Sequence, residues 1–141
     1  MDKPPWVEIA EKEIGVDEQD KRVLDYFKAT NYENPTVGTA YCSAFLNWCF
    51  DKAGIKGTRN AAAVSWRNWG KELNQGQLGA VVLFEWAKGG HHVALYEDEG
   101  EHNGQYKIKV LGGNQTGAHE VCEEWVPFTD NDVLTFRWPA E

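Results

Sequence analysis

The chain has 141 residues, with 22 acidic side chains against 14 Lys and Arg, and its net charge is −8. This excess of negative charge repels phosphate backbones, so nucleic acid is excluded as an expected partner. Apolar residues make up 42% of the chain and seven residues are Trp, which excludes a disordered protein and predicts one folded domain over residues 1–141.

The first half of the chain has the spacing of helices. Residues 6–15 ("WVEIAEKEIG") follow two prolines and end at a glycine, and residues 20–30 ("DKRVLDYFKAT") repeat apolar side chains every three or four positions. Residues 42–53 form the most regular helical pattern, with Ser43 and Asn47 on the face opposite the apolar stripe. A further short helix is predicted within residues 60–70.

The second half changes to a period of two. Short apolar runs bounded by Gly, Asn, Asp or Pro predict about five strands, mostly antiparallel. The runs are "AVVLFEW", "HHVALYE", "YKIKVLG", "EVCEEWV" and "VLTFRW". Because helices come first and strands afterwards, we predict an α+β fold in which the helices pack on one face of the sheet.

Cys42 begins the most regular helix. A thiol at a helix N-terminus lies beside unpaired backbone N–H groups and the positive end of the macrodipole, which lower its pKa and indicate a nucleophile. Cys42 also falls on the apolar stripe with Phe45 and Cys49, so a core cysteine is the alternative. The odd number of cysteines leaves at least one thiol free, and a Cys49–Cys122 disulfide stays open.

A nucleophilic thiol of this kind needs a base, and the run "GGHHVALY" offers two histidines. Adjacent strand residues point to opposite faces, so only one of His91 and His92 can face a helix packed on the sheet. His92 shares its face with the small Ala94, which would let that helix approach, and we predict that His92 is the base. A surface or structural histidine is the alternative.

The base in turn needs an orienting group. Asn114 has the parity of the buried positions on the next strand, and its amide could accept the second imidazole N–H. A bulge at Gly112–Gly113 would instead bring Gln115 into this role. An ordinary turn residue in "GGNQTG" is the alternative reading of Asn114.

Five segments together resemble a known family. They are "YCSAFLNWCFDKAGIKGT", "AVSWRNWG", "GGHHVALY", "VLGGNQTG" and the terminal "RWP". In this order they resemble the small bacterial and phage cell-wall hydrolases of the NlpC-type and CHAP group, which have a papain-like fold. The resemblance implies that nucleophile, base and orienting residue are Cys42, His92 and Asn114. Two family features are missing: an acidic residue shortly before the cysteine, and Gly-Asp at the first core strand, which opens with Gly79-Ala80.

This resemblance implies a peptidoglycan hydrolase, an endopeptidase or amidase that forms a thioester with the peptide stem and needs no cofactor. We further expect Tyr41, Trp86 and Gln115 to contact the substrate. No metal site is predicted, because the cysteine spacing does not fit zinc and His102 and His119 lie in loops.

The expected location of the protein follows from two features that the sequence lacks. It has no apolar run of about 20 residues, so no membrane span is predicted, and its N-terminus lacks the pattern of a signal peptide. We therefore expect a monomer made in the cytoplasm that reaches the periplasm or cell wall through a phage or a secretion system, with an immunity or delivery protein as a further partner. Two alternatives stay open: a catalytically silent module that binds the wall or a partner, and a cytoplasmic thiol hydrolase or toxin acting on isopeptide or thioester bonds.

Overall fold

The computed structural model describes residues 3–38, 40–115 and 119–140. The helices are α1 (Pro5–Glu11), α2 (Arg22–Phe27), α3 (Cys42–Lys52) and a 3₁₀ helix, Ala63–Asn68. The strands are β1 (Lys71–Leu73), β2 (Val81–Glu85), β3 (His91–His102), β4 (Gln105–Gly112), β5 (Cys122–Pro127) and β6 (Val133–Trp138). Among these residues no helix is both long and apolar enough to cross a bilayer.

All strands belong to one antiparallel sheet, in the order β1-β6-β2-β3-β4-β5. The predicted α+β class is confirmed, with six strands instead of about five. The additional strand, β1, has three residues and pairs only with β6. It was not predicted because three residues are too few to show an alternating pattern.

The residues that flank α1 and α3 explain where these helices begin and end. Pro5 occupies the first position of α1, where a missing N–H costs nothing, and Gly15 beyond its end has a positive φ of 104°. Helix α3 follows Tyr41, whose side chain does not cap the first N–H groups of the helix. The start of α3 therefore keeps unpaired donors beside Cys42.

The sheet has a buried cluster of side chains on each face. On the first face the helices pack over alternate residues of β2 and β3, including Leu83, Val93 and Leu95. On the second face lie the intervening residues, including Phe84 and Ala94, with side chains from β4 and β5. Each central strand is thus buried on both faces, which explains its continuous apolar run.

Helix α3 is buried on the side that we predicted to be its polar face. Ser43 and Asn47 have almost no exposed surface because the segment that follows the helix covers them. Ser43 Oγ donates to the Asn60 carbonyl at 2.6 Å and accepts from Trp66 Nε1 at 2.8 Å. These bonds satisfy the buried polar groups and hold α3 from the side away from the sheet.

Candidate active site

Cys42 is the first residue of α3, and its side chain is 9% exposed. It has the open helix start on one side and β3 on the other. The backbone N–H groups of Ser43 and Val93 donate to its sulfur, which favours the thiolate. The thiol is therefore a largely buried group whose anion is stabilised by backbone donors.

Val93 can donate to Cys42 because the sheet is incomplete at this point. Strand β4 pairs with β3 only from Leu95 onward, while β2 pairs with β3 from His91. The first residues of β3 therefore present an open edge, and the start of α3 occupies it. The sequence analysis did not identify this Val93 N–H, since a backbone donor leaves no mark in the sequence.

His92 contacts the Cys42 thiol from the second face of the sheet. We expected His92 and Ala94 to face the packed helix together, and this expectation is wrong. Val93 and Leu95 face α3, whereas Ala94 belongs to the opposite cluster and the His92 ring stacks on Phe84 at 6.2 Å. The imidazole still meets Cys42 because the thiol lies at the strand edge, where side chains from either face can approach it.

The thiol and the imidazole shift each other's protonation. Burial raises the pKa of Cys42, but the hydrogen bond and positive charge of His92 outweigh burial, and the pKa lies below its usual value. Burial likewise lowers the pKa of His92, and the hydrogen bonds and charge of its partners outweigh it, so this pKa is raised. The two directions together favour a thiolate–imidazolium pair.

Gln115 makes the hydrogen bond that we predicted for Asn114. Its Oε1 lies 2.7 Å from His92 Nε2. Its amide nitrogen donates to the carbonyls of Val110 at 3.2 Å and Cys122 at 2.8 Å, so the oxygen must face the imidazole. With Nε2–H held by Gln115, Nδ1 is the nitrogen that remains for the thiol.

Asn114 does not face the imidazole. Its backbone has a positive φ of 51°, and its side-chain oxygen is buried without a hydrogen-bond partner among the described residues. Its backbone N–H donates to the hydroxyl of Tyr41. The left-handed turn at Asn114 rotates the chain by one position and moves Gln115 to the face that parity assigned to Asn114.

Tyr41 was expected to contact substrate, and it has no exposed surface. Its hydroxyl donates to the carbonyls of His119 at 3.0 Å and Val16 at 3.3 Å, and burial raises its pKa. The ring stacks on Tyr26 at 6.0 Å. The side chain therefore joins the start of α3 to two loops, and Gln115, which is also fully buried, is equally closed to a ligand.

The other two residues singled out in the β2–β3 region lie apart from the thiol. Trp86 is half-buried, stacks on Phe84 at 5.0 Å and lines a separate cavity. His91 is exposed, and its Nε2 lies 3.6 Å from Glu85, which also forms an ion pair with Arg67 at 2.5 Å. The ionic partner of His91 is therefore Glu85 and not Cys42, although His91 has the same strand parity as Val93 and Leu95, which face α3.

The described residues contain one group of carboxylates close enough together for a metal ion: Glu11, Glu97 and Glu123, with oxygens within 4.8 Å of one another. Burial and a hydrogen bond with Glu123 raise the pKa of Glu97 to about 8. Glu97 is therefore mostly protonated at neutral pH. None of the three is a partner of Cys42 or His92, and the three cysteines are free thiols.

Comparison with known proteins gives one match. The family model described as the NlpC/P60 family matches residues 30–119. This region contains Cys42, His92 and Gln115, and it covers more than half of the chain. Neither a curated protein nor a solved structure matches the chain.

Proposed function

The chain belongs to the NlpC/P60 family of peptidoglycan-related cysteine hydrolases, and we propose that it cleaves an amide bond of the cell-wall peptide as an endopeptidase or amidase. The observation that carries this proposal is the pair formed by Cys42 and His92, in which the thiol pKa is lowered and the imidazole pKa is raised. Gln115, 2.7 Å from the imidazole, is the third member.

The first half of the reaction acylates the enzyme. The Cys42 thiolate attacks the carbonyl carbon, and a tetrahedral oxyanion forms that the backbone N–H of Cys42 can stabilise at the uncapped helix start. Collapse of this intermediate breaks the C–N bond. His92, as the imidazolium, gives its Nδ1 proton to the leaving amine, and a thioester remains on the sulfur.

The second half releases the acid. The neutral imidazole of His92 removes a proton from water, and the hydroxide attacks the thioester carbonyl. The C–S bond breaks, the carboxylic acid departs, and the thiolate–imidazolium pair is restored. Throughout, the Gln115 oxygen accepts the Nε2–H and keeps Nδ1 directed at the reacting atoms.

Mass spectrometry of digested peptidoglycan tests the proposal and identifies the bond. We expect pairs of fragments whose masses sum to that of the uncleaved unit plus one water per bond cut when purified peptidoglycan is incubated with the protein, and none with Cys42→Ala. Cys122→Ser is the matched control, since Cys122 contributes only a backbone carbonyl to Gln115 and should leave the fragments unchanged. Identical digests from the protein and Cys42→Ala would refute the proposal.

A further inference from the structure

A cavity of about 430 Å³ lies at one end of the second face of the sheet. Its walls come from the β2–β3 hairpin, the end of β5 and the segment before β6. They include Trp86, Lys88, Gln105, Val126, Phe128 and Asn131. Its volume falls in the range of small-molecule sites, and neither Cys42 nor His92 lines it.

The cavity is connected to the proposed catalytic base through aromatic rings. Trp86 stacks on Phe84 with ring centroids 5.0 Å apart, and Phe84 in turn stacks on His92 at 6.2 Å. These three side chains lie on the same face, since Phe84 and His92 are directly paired between β2 and β3. A ligand in the cavity is thus only two ring contacts away from the imidazole.

Hydrogen bonds between its walls hold the cavity open. Asp132 accepts the backbone N–H of Ala87 at 2.8 Å and that of Thr129 at 2.9 Å, which joins the hairpin to the segment before β6. Gln105 Nε2 donates to the Phe128 carbonyl at 3.0 Å. Because these bonds fix the walls relative to one another, ligand binding there needs little ordering of the walls.

Several polar groups of the cavity have no hydrogen-bond partner within residues 3–38, 40–115 and 119–140. They are the indole N–H of Trp86, the ammonium group of Lys88 and the side-chain amide of Asn131. Phe84 covers one face of the indole, and the ring is only half-buried. The cavity therefore combines an accessible aromatic ring with uncommitted donors and acceptors around it.

We propose that this cavity binds a pyranose ring of the glycan strand that carries the scissile peptide. One face of a pyranose consists of C–H groups that pack on an indole, while its rim carries hydroxyl and acetamido groups that need hydrogen-bond partners. Trp86 provides the first kind of contact, and Lys88 and Asn131 provide the second. This inference rests on the proposed function, because it names a second part of the same substrate.

Binding measured on the inactive protein separates this inference from hydrolysis. Calorimetry of Cys42→Ala would compare a stem peptide joined to the disaccharide of N-acetylglucosamine and N-acetylmuramic acid with the same peptide alone. We expect about tenfold tighter binding of the sugar-bearing form, the gain that one good aromatic contact provides. Adding Trp86→Ala should bring the ratio of the two affinities close to one.

The control is Trp125→Ala, also in the Cys42→Ala background. Trp125 is a half-buried strand residue whose ring lies against that of His102, with centroids 4.3 Å apart, and it does not line the cavity, so the preference for the sugar-bearing peptide should persist. If Trp86→Ala fails to fold, Asn131→Ala removes a polar contact at an exposed position and should reduce the preference several-fold. Equal affinities for the two ligands would overturn the inference, while fragments in the digest would still support the proposed function.

Discussion

Nε2 of His92 lies 2.7 Å from Oε1 of Gln115, and two backbone carbonyls hold the Gln115 amide in that orientation. The bond fixes which imidazole nitrogen carries the proton on the side away from Cys42. It also contributes to the raised pKa of His92, after the larger effects of Cys42. The neutral amide of Gln115 thereby orients the imidazole of the proposed base and adds to the basicity that Cys42 mainly raises.

We predict that Gln115→Ala lowers the rate by about tenfold or more, because it removes the group that orients the imidazole. Loss of this bond also lowers the pKa of His92, so the alkaline limb of the pH–rate profile should move to lower pH. Steady-state rates across pH measure both effects, and thermal melts report any loss of stability. Asn114→Ala is the control and should keep most activity. Full activity in Gln115→Ala with a collapse in Asn114→Ala would return the orienting role to Asn114.

Cys42 should be the most reactive thiol of the native protein. Its pKa is lowered by His92, whereas burial raises that of Cys49 well above the usual value and that of Cys122 to about 11. We expect iodoacetamide near neutral pH to label Cys42 first, as measured by peptide mass spectrometry over time. In His92→Ala this preference should largely disappear. Equal labelling of all three thiols in the native protein would contradict the assignment.

Replacement of the two adjacent histidines should have very different effects on turnover. His92→Ala should lower turnover by at least about 100-fold, the lower end of what a positioned base contributes. His91→Ala should retain most activity, because His91 is exposed and its ionic partner is Glu85 and not Cys42. Turnover of both variants on the same peptidoglycan fragments checks the difference. Inactivity of His91→Ala alone would show that the strand faces are assigned the wrong way round.

Glu97 should make the fold less stable as the pH rises. Its pKa is raised from 4.5 to about 8 in the folded protein, so between these values the folded state binds more protons than the unfolded state. The free energy of unfolding therefore falls through this window. Glu97→Gln stays neutral and should show a smaller loss of Tm between pH 5 and pH 8.

Thermal melts of Glu97→Gln across this pH range provide the measurement, and Glu101→Gln is the matched control. Glu101 is an exposed residue of the same strand, and replacing it should leave the pH dependence of Tm unchanged. The same slope in the protein and in Glu97→Gln would show that Glu97 does not keep its proton into this pH range.

Much of the fold and two members of the site could be predicted from local patterns. The 3.6-residue period of residues 42–53 predicted helix α3, and the position of Cys42 at its start predicted an activated thiol. The alternation of apolar residues predicted five of the six strands and placed His91 and His92 on opposite faces of β3, but the face predicted for His92 was the wrong one. Each of these depends only on neighbours in the chain, which the sequence displays directly.

Strand parity predicted the wrong orienting residue at the point where the chain leaves the regular strand β4. Asn114 adopts a positive φ of 51°, and this one change of backbone conformation moved the imidazole contact to Gln115. The pattern of residues 106–114 allowed either outcome, because a turn after two glycines can keep or shift the register. In the shifted register the backbone N–H of Asn114 donates to the hydroxyl of Tyr41, a residue far away in the chain.

The amino-acid sequence by itself determined the elements of this protein and the thiol at a helix start, because periodicity is a local property. Only the tertiary structure decided that Gln115 holds the imidazole, that the Val93 N–H stabilises the thiolate, and that His92 approaches Cys42 from the second face. These contacts join α3, β3 and the end of β4. They depend on where the pairing of β4 with β3 ends, and no local pattern in the chain specifies that point.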